Sequence, residues 1–426
     1  MFIESLHIQG FKSLADVELT DLNAINVFHG QNDTGKSNLL EAVDLFCQIL
    51  PLALSGGINT AYLGKTDLWP YTSDIFRLQE SPPRTIVWEA QLRLAQHPSP
   101  LVLQLQLGEV GPRDLAETMG EFHLEISWPE GQPQEAILDR LANPVAGFHR
   151  IPATRYFQTE RVGPKTTPTL ISKTRRSPVT ATNLKQTLVE AFAGLDEGQA
   201  QRYTALEQAL AKHFALPGFI ARLAPAEDGG QLYVVGFRRA GMKEPLLIES
   251  VGSGVQQLIL MLGQMLFNPA QTVGIEEPEM NLSPDWQIKL LNVFKALVAP
   301  KTGVLEQLFI TSHSLAFRPE SADYYDVTYD PQAQATLVTR RPVEECRKYF
   351  DVLGLTPAEG EELGPYLTPQ NQITVPQRVI DDLGLKTYEP VFFVKEELYW
   401  RLCTKEELLA RMQTEEQTYA DQEDRV

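Results

Sequence analysis

Cysteine is scarce in this chain: Cys47, Cys346 and Cys403 lie far apart, are odd in number and form no CxxC pair. Neither a disulfide framework nor a structural zinc site is expected, and the pattern suits a reducing compartment. No run of about 18 uninterrupted apolar residues occurs, so the sequence predicts no membrane span. The first residues enter a strand-like stretch directly, without a basic segment followed by a short apolar one. No secretory signal is expected, and the expected location is the cytoplasm. Positive charge is also short, with 37 Lys and Arg against 55 Asp and Glu, a net −18. That argues against a surface built for nonspecific duplex binding. Sustained heptads are missing, which excludes long coiled-coil arms. What remains is 426 residues with 43% hydrophobic content, enough for two or three globular domains.

The most informative stretch comes early. Gly30-Gln31-Asn32-Asp33-Thr34-Gly35-Lys36-Ser37 is a complete GxxxxGKS phosphate-binding loop. Before it, Leu22 to Phe28 ends in an apolar strand-like run; after it, Asn38 to Phe46 reads as an amphipathic helix. Strand, glycine loop and helix form the context such a loop needs. Its glycines let backbone N–H groups turn around phosphate oxygens, and the helix N-terminus adds a favourable dipole. Residues 30–38 are therefore the expected nucleotide contacts, with Lys36 reaching the β- and γ-phosphates and the Ser37 hydroxyl on Mg²⁺. ATP and Mg²⁺ are the expected ligands.

Three more elements follow. Gln271 to Glu279 is a short apolar strand running into carboxylates, which suits a metal-and-water site: Glu276 for the metal, Glu277 for the attacking water. Upstream, the glycine-rich turn Gly252-Ser253-Gly254 opens the apolar helix Leu258 to Leu266 and offers a second anion cradle. Downstream, Gln307 to Ser314 is a strand ending at His313, placed to sense a γ-phosphate.

Together these motifs resemble the ABC-class, AAA-family P-loop ATPases of the RecF-, SMC- and OLD-like branch. The opening Phe2 to Leu14 is similar to that branch's "I-x-N-F-(K/R)-S" start, and Asn32, Glu277-Pro278-Glu279 and Leu282-Ser283-Pro284 look like it too. The resemblance implies that Gly252-Ser253-Gly254 is the signature loop, that Asn281 to Pro284 falls in the D-loop, and that His313 is the switch histidine. It also implies a homodimer closed over ATP, each molecule completing the other's site. Lys36, Glu277 and His313 would be the catalytic residues, and Ser37 and Glu276 the metal ligands. The chain departs from the pattern in three ways. The signature serine is Gly252, the metal aspartate is Glu276, and the Q-loop glutamine is open between Gln158 and Gln79.

About 240 residues separate the P-loop from Glu276, so an insertion is expected. The alternation within 84–128 predicts antiparallel strands, and 182–215 reads as helix, with Leu184, Leu188, Ala191, Phe192, Leu206, Leu210 and Phe214 near helical spacing. Between His149 and Lys185 stand eight Lys or Arg against Glu160 alone. Arg155, Arg161, Lys173, Arg175 and Arg176 are its candidate nucleic-acid contacts; a solvated face is the other reading.

Leu367 to Leu385 resembles the AbrB/SpoVT swapped-hairpin repeat "Q-I-T-(I/V)-P-x-x-(I/V)-(R/I)-x-x-L-G-L", with a strand, a short helix from Pro376, a Gly384 stop and a second strand at Pro390 to Val394. That resemblance implies a dimer contact that commonly binds DNA. Yet residues 364–426 carry 7 Lys or Arg and 12 Asp or Glu, a net of −5 (7 − 12) that opposes DNA.

The expected fold class is thus α/β. An ABC-type ATPase head (1–80 and 240–345) carries an antiparallel β lobe and helical insertion (81–239). A small AbrB-like β-barrel module (364–402) and a charged helical tail (403–426) follow. The expected function is an ATP-hydrolysing switch of the RecF/OLD-like kind, in DNA repair or anti-phage defence. Its effector would be a separate protein, because residues after His313 hold no acidic metal cluster beyond Asp381-Asp382. Two alternatives are a nucleotide-gated DNA-binding regulator or antitoxin-like scaffold, and a scaffold with slow hydrolysis.

Overall fold

The computed structural model describes residues 2–55, 61–64, 75–77, 84–93, 100–109, 118–127, 148–153, 161–162, 179–194, 196–225, 231–238, 241–242, 244–268, 270–299, 303–314, 317, 324–341, 366–367, 373–374, 391–395 and 400–404. The chain divides into two compact units, Met1–Val343 and Glu344–Val426. In chain order the first unit runs β1 (Phe2–Phe11), β2 (Leu14–Leu19), β3 (Ile25–His29), α1 (Lys36–Ser55), β4 (Ala61–Gly64), β5 (Thr85–Arg93), β6 (Leu101–Glu109), β7 (Thr118–Ser127), β8 (Phe148–Ile151) and β9 (Arg161–Val162). It continues with α2 (Leu184–Phe192), α3 (Glu197–Phe214), β10 (Phe219–Pro225), β11 (Gln231–Phe237), β12 (Leu246–Leu247), α4 (Ser253–Phe267), β13 (Thr272–Glu276), α5 (Pro284–Leu297), β14 (Gln307–Ser312), β15 (Tyr324–Asp330) and β16 (Ala335–Arg341). In the second unit β17 (Tyr366–Leu367) pairs with β18 (Ile373–Thr374), and β19 (Val391–Lys395) with β20 (Trp400–Thr404), both antiparallel. The helices expected from Pro376 and after Lys405 lie outside the described residues.

One sheet has the order β2-β1-β5-β6-β7-β4 and is antiparallel throughout. The strands expected within 84–128 are β5, β6 and β7. They extend the sheet that opens the chain, through the β1–β5 ladder. A second sheet has the order β16-β15-β3-β14-β13-β8, parallel except for the β15–β16 hairpin. A smaller sheet joins β10, β11 and β12, with β9 on β11.

Side-chain alternation along the parallel strands sends successive residues to opposite faces. Phe28, Phe309 and Tyr325 join the core built by α1 and the first sheet, where Phe28 and Phe309 stack at 6.2 Å. Val27, Leu308, Ile310, Val273 and Ile275 join the other core, shared with α2, α3, α4 and α5. Helix α1 is thereby held between two sheets, and Trp88 of β5 donates its Nε1–H to the Ala42 carbonyl at 3.1 Å.

The helical stretch at 182–215 is two helices. After α2, Gly194 takes φ +71° and ends the first helix, and the Asp196 side chain then accepts from the Gln199 N–H to cap α3. Phe192, at the very end of α2, is 53% exposed, unlike Leu184, Leu188 and Ala191.

One buried amide ties the two large sheets together. Gln307, at the start of β14, accepts from the Ile3 N–H (2.9 Å) and donates to the Ile3 carbonyl (2.8 Å) and the Asn23 carbonyl (3.2 Å). Ile3 sits where the β1–β5 register slips, so its backbone groups need partners from outside that ladder. Gln307→Leu keeps the volume but strands these groups. It is expected to cost about 2–4 kcal/mol, read as a shift in the urea unfolding midpoint, since each buried unpaired group costs about 1–3 kcal/mol.

Candidate nucleotide-binding site

Three parallel strand ends meet here. In the ladders, Ser312 of β14 lies opposite His29 of β3, and Thr311 lies opposite Glu276 of β13. The loop after β3, the carboxylates after β13 and His313 after β14 therefore leave the same edge of one sheet. The carboxyl edge of parallel strands is the usual ligand-binding edge of such sheets.

The loop 30–37 joins β3 to α1 as the sequence predicts. Its first glycine has no room for a side chain, because a Cβ at Gly30 would lie 2.2 Å from the Val327 carbonyl oxygen. Gly35 takes φ +97°, and a Cβ there would lie 2.0 Å from Thr336 Oγ1. That hydroxyl braces the loop from behind: it donates to the Thr34 carbonyl at 2.9 Å and lies 2.7 Å from Ser13 Oγ. Asn38 donates its amide to Ser13 Oγ at 2.8 Å, so it serves this brace. Gln31, Asn32, Asp33 and Ser37 are exposed on the outer side. Lys36 is only 5% exposed, with its ammonium on the Gly30 carbonyl (2.9 Å) and the Gln31 carbonyl (2.5 Å). Burial holds its pKa below the ordinary lysine value, and the carboxylates of Glu277 and Glu279 oppose that shift.

Beyond β13 the chain turns sharply. Glu277 takes φ +43°, a left-handed conformation that costs a non-glycine residue about 1–2 kcal/mol. Its N–H is satisfied by the Thr311 carbonyl at 2.9 Å. Glu279 folds back into the interior, where Oε1 accepts from Ser312 Oγ and from the His313 N–H, each at 2.8 Å. His313 Nδ1 lies 3.5 Å from that oxygen and 3.9 Å from Glu277 Oε1. The arrangement brings Lys36, Glu277 and His313 to one place and adds Glu279, which the sequence reading left without a role. Three buried polar atoms here have no hydrogen-bond partner: Glu279 Oε2, Thr311 Oγ1 and His313 Nδ1. Such atoms are few in folded proteins, and these need a partner that the chain itself does not supply, whether water, ion or ligand.

Glu276 is buried at the end of β13 and pairs with Arg150 of β8, whose Nε donates to Oε1 at 2.5 Å. Among the described residues no group of three or more His, Cys, Asp or Glu gathers to hold a metal by itself. The donors present, the exposed Ser37 hydroxyl and one carboxylate, suit Mg²⁺, which takes most of its shell from water and substrate phosphates.

The signature-like turn caps α4. Gly252 and Ser253 are exposed, and a Cβ at Gly252 would meet nothing within 4 Å. Gly254 is different, since a Cβ there would lie 2.5 Å from the Asn281 carbonyl oxygen. The turn thus packs directly on 281–284, where Asn281 takes φ +59° and Ser283 caps α5 by accepting from the Trp286 N–H. Just before the turn, Glu249 pairs with buried Lys185 of α2.

Two charges of the basic segment 149–185 are therefore spent inside the protein, Arg150 on Glu276 and Lys185 on Glu249. Arg155, Lys173, Arg175 and Arg176 lie outside the described residues, as do Gln79 and Gln158. Arg161 is described only by its backbone, in β9. Cys47 is a buried free thiol whose pKa burial pushes up. No described helix is long and apolar enough to cross a membrane.

Residues 1–62 match a family model described as "AAA ATPase domain", and residues 153–318 match one described as "AAA domain, putative AbiEii toxin, Type IV TA system". Both halves of the site lie in AAA-domain sequence. The AAA segments support a P-loop ATPase, on the mixed α/β fold described above. A 44-residue stretch is 41% identical to the uncharacterized protein MJECL10 of Methanocaldococcus jannaschii, covering 10% of this chain and 20% of that protein. The chain thus matches about a fifth of that relative's length. Among solved structures it is similar to an Smc head bound to the C-winged helix domain of ScpA (TM-score 0.48, 15% identity, 81% of this chain and 100% of that one). It is also similar to the SMC head domain from Thermotoga maritima (TM-score 0.43, 12% identity, 80% and 99%).

Two experiments follow from this geometry. Gly252→Ser meets open space and adds a better helix cap, so stability should hold or rise by a few tenths of a kcal/mol, whereas Gly254→Ala collides with the Asn281 backbone and should lose about 1–3 kcal/mol; both are read by urea unfolding. The second concerns His149 in β8. Its side chain bonds to that of Gln264, its Nε2 has no partner, and burial pushes its pKa down to about 4. The folded ring stays neutral while the unfolded one protonates below its ordinary value near 6.5. Stability is therefore full above that pH and falls as pH drops toward 4, by up to roughly 3 kcal/mol. His149→Gln should flatten that part of the stability–pH curve.

Proposed function

We propose that this protein binds ATP at the loop 30–37 and hydrolyses it, working as a switch. The observation that carries the reading is the convergence of Lys36, Glu277 and His313 on one sheet edge, beside three unpartnered buried polar atoms. The loop glycines let the backbone approach phosphate oxygens, and the N-terminus of α1 favours their charge. Lys36 is held in the loop as a buried cation facing two carboxylates, and adds charge where the β- and γ-phosphates sit. Ser37 and Glu276 would hold Mg²⁺, which would supply positive charge against the phosphates. Glu277 orients and polarises the attacking water, accepting its proton at the carboxylate. His313, anchored through its N–H to Glu279, faces the γ-phosphate and reports its presence.

The closed state of this reading is a homodimer in which the exposed Gly252-Ser253 turn of each molecule completes the other's site. Backbone N–H groups or Ser253 take the place of the missing signature serine there. The AbrB-like tail adds a second dimer contact. The biological setting follows the RecF/OLD-like branch: DNA repair or anti-phage defence, acting on DNA and through a separate effector protein. A second reading, a DNA-binding regulator or antitoxin-like scaffold gated by nucleotide, draws on the AbrB-like pattern of Leu367 to Leu385.

The test is Glu277→Gln. Its ATP turnover should fall about 10²–10⁴-fold with nucleotide binding kept, because only the proton acceptor is lost. Mass measured in solution should then show a dimer with or without ATP for the full chain, held by the tail, and an ATP-dependent dimer after truncation at residue 363. An undiminished turnover sinks the assignment of Glu277. A truncated variant that stays monomeric in ATP sinks the shared-site mechanism.

A further inference from the structure

Glu276 does not end its strand alone. Arg150, on the adjacent parallel strand β8, stands opposite Gly274 in the ladder. Its guanidinium comes within 2.5 Å of Glu276 Oε1 through both Nε and Nη2. The same Nη2 donates to Glu41 Oε1 at 3.0 Å, in the second turn of α1. Glu41 in turn holds the Lys12 ammonium from the turn between β1 and β2. The side chains of Arg150 and Glu41 are each largely shielded, so these are not loose surface pairs. One guanidinium therefore bridges two carboxylates from different elements: one on the metal-binding strand end, the other on the helix that begins at Lys36.

From this geometry we infer that Arg150 is an exchangeable counter-ion for Glu276. It neutralises that carboxylate in the cation-free protein and shifts its weight onto Glu41 when a divalent cation is held near Ser37 and Glu276. The inference rests on the nucleotide-binding reading above. A buried carboxylate left without a positive partner is strongly unfavourable, so Glu276 needs one before the cation arrives. A divalent cation and a guanidinium on the same carboxylate oxygen repel each other, and the shielded setting screens that repulsion poorly. The planar fork of arginine offers an escape, because its Nη2 already bonds Glu41 and can keep that bond as the guanidinium swings away from Glu276. Arg150 is thus a positioning residue that raises the cation concentration the site requires. Glu41, its alternative seat, lowers it.

The test reads binding rather than turnover. A fluorescent ATP analogue at fixed concentration is titrated with Mg²⁺ from an EDTA baseline, using the full chain. Arg150→Gln should lower the half-saturating Mg²⁺ concentration about fivefold or more, and Glu41→Gln should raise it by a similar factor, the range of a modest coupling. A bridge that merely props the fold would move both variants the same way. Shifts of one sign, or no shift in either, overturn the inference while leaving nucleotide binding intact. Melting temperatures in EDTA confirm that each variant folds. If Arg150→Gln does not fold, Glu41→Gln decides alone, a rise supporting the exchange and anything else refuting it. An unmodified chain that binds no analogue at any Mg²⁺ concentration refutes the nucleotide site itself, and this inference with it.

Discussion

Backbone hydrogen bonds from β14 to β3 on one side and to β13 on the other set the geometry of everything that follows. They fix Ser312 beside His29 and Thr311 beside Glu276. Parallel strands cannot be joined by tight turns, so each needs a long crossover. That is why residues meeting on one edge lie so far apart along the chain. The crossovers are also where this chain stores its helices and its smaller sheet. Both faces of the central strands are covered, which makes β13 and β14 wholly buried. Charged side chains can therefore leave the strands only at their ends, and they do so at Glu276, Glu277 and His313.

Much of this was legible in the residues themselves. The strand, glycine loop and helix around Lys36 carry their own local signals: an apolar run, glycines at fixed spacing, then helical periodicity. The strand before Glu276 and the one before His313 are short apolar runs that stop at polar residues, which is how a buried parallel strand reads. What could not be read was pairing at a distance. Nothing near Thr85 tells that β5 will join β1, because alternation gives a face and no partner. Arg150 looked like one positive charge among eight, and its bond to Glu276 has no local signature. Gln307 and Thr336 looked like ordinary strand residues, although one ties two sheets and the other braces the loop. The break between α2 and α3 was present as Gly194 and Asp196, but a continuous apolar stripe concealed it.

The site is crowded with charge, yet the charges have definite partners. Lys36 rests on two carbonyls of its own loop, Glu276 on Arg150, and Glu279 on Ser312 and the His313 N–H. Such networks fix side chains in place when every member is satisfied. Here they are satisfied only in part. Glu279 Oε2, Thr311 Oγ1 and His313 Nδ1 lack partners, and Glu277 sits in a left-handed conformation. Both features occur together on the edge where the three motifs meet. Strain and unsatisfied polarity at a single place are what a binding site keeps and a structural corner removes.

Gly252 illustrates how a departure from a family pattern should be weighed. Gly254, two residues on, is forced by contact with the Asn281 carbonyl; Gly252 is forced by nothing nearby and has an ordinary φ of −58°. Sterics therefore give no reason for the absence of a serine there. The helix it caps, α4, is buried along most of its length against β13 and α3, so the turn is held firmly by its helix whatever residue occupies the cap. The position of the turn is thus set by packing, and its hydrogen-bonding capacity by sequence. A chain can lose the second and keep the first. In this protein the scaffold that presents the turn is intact, and the departure at Gly252 touches only the hydrogen bonds its side chain would have made.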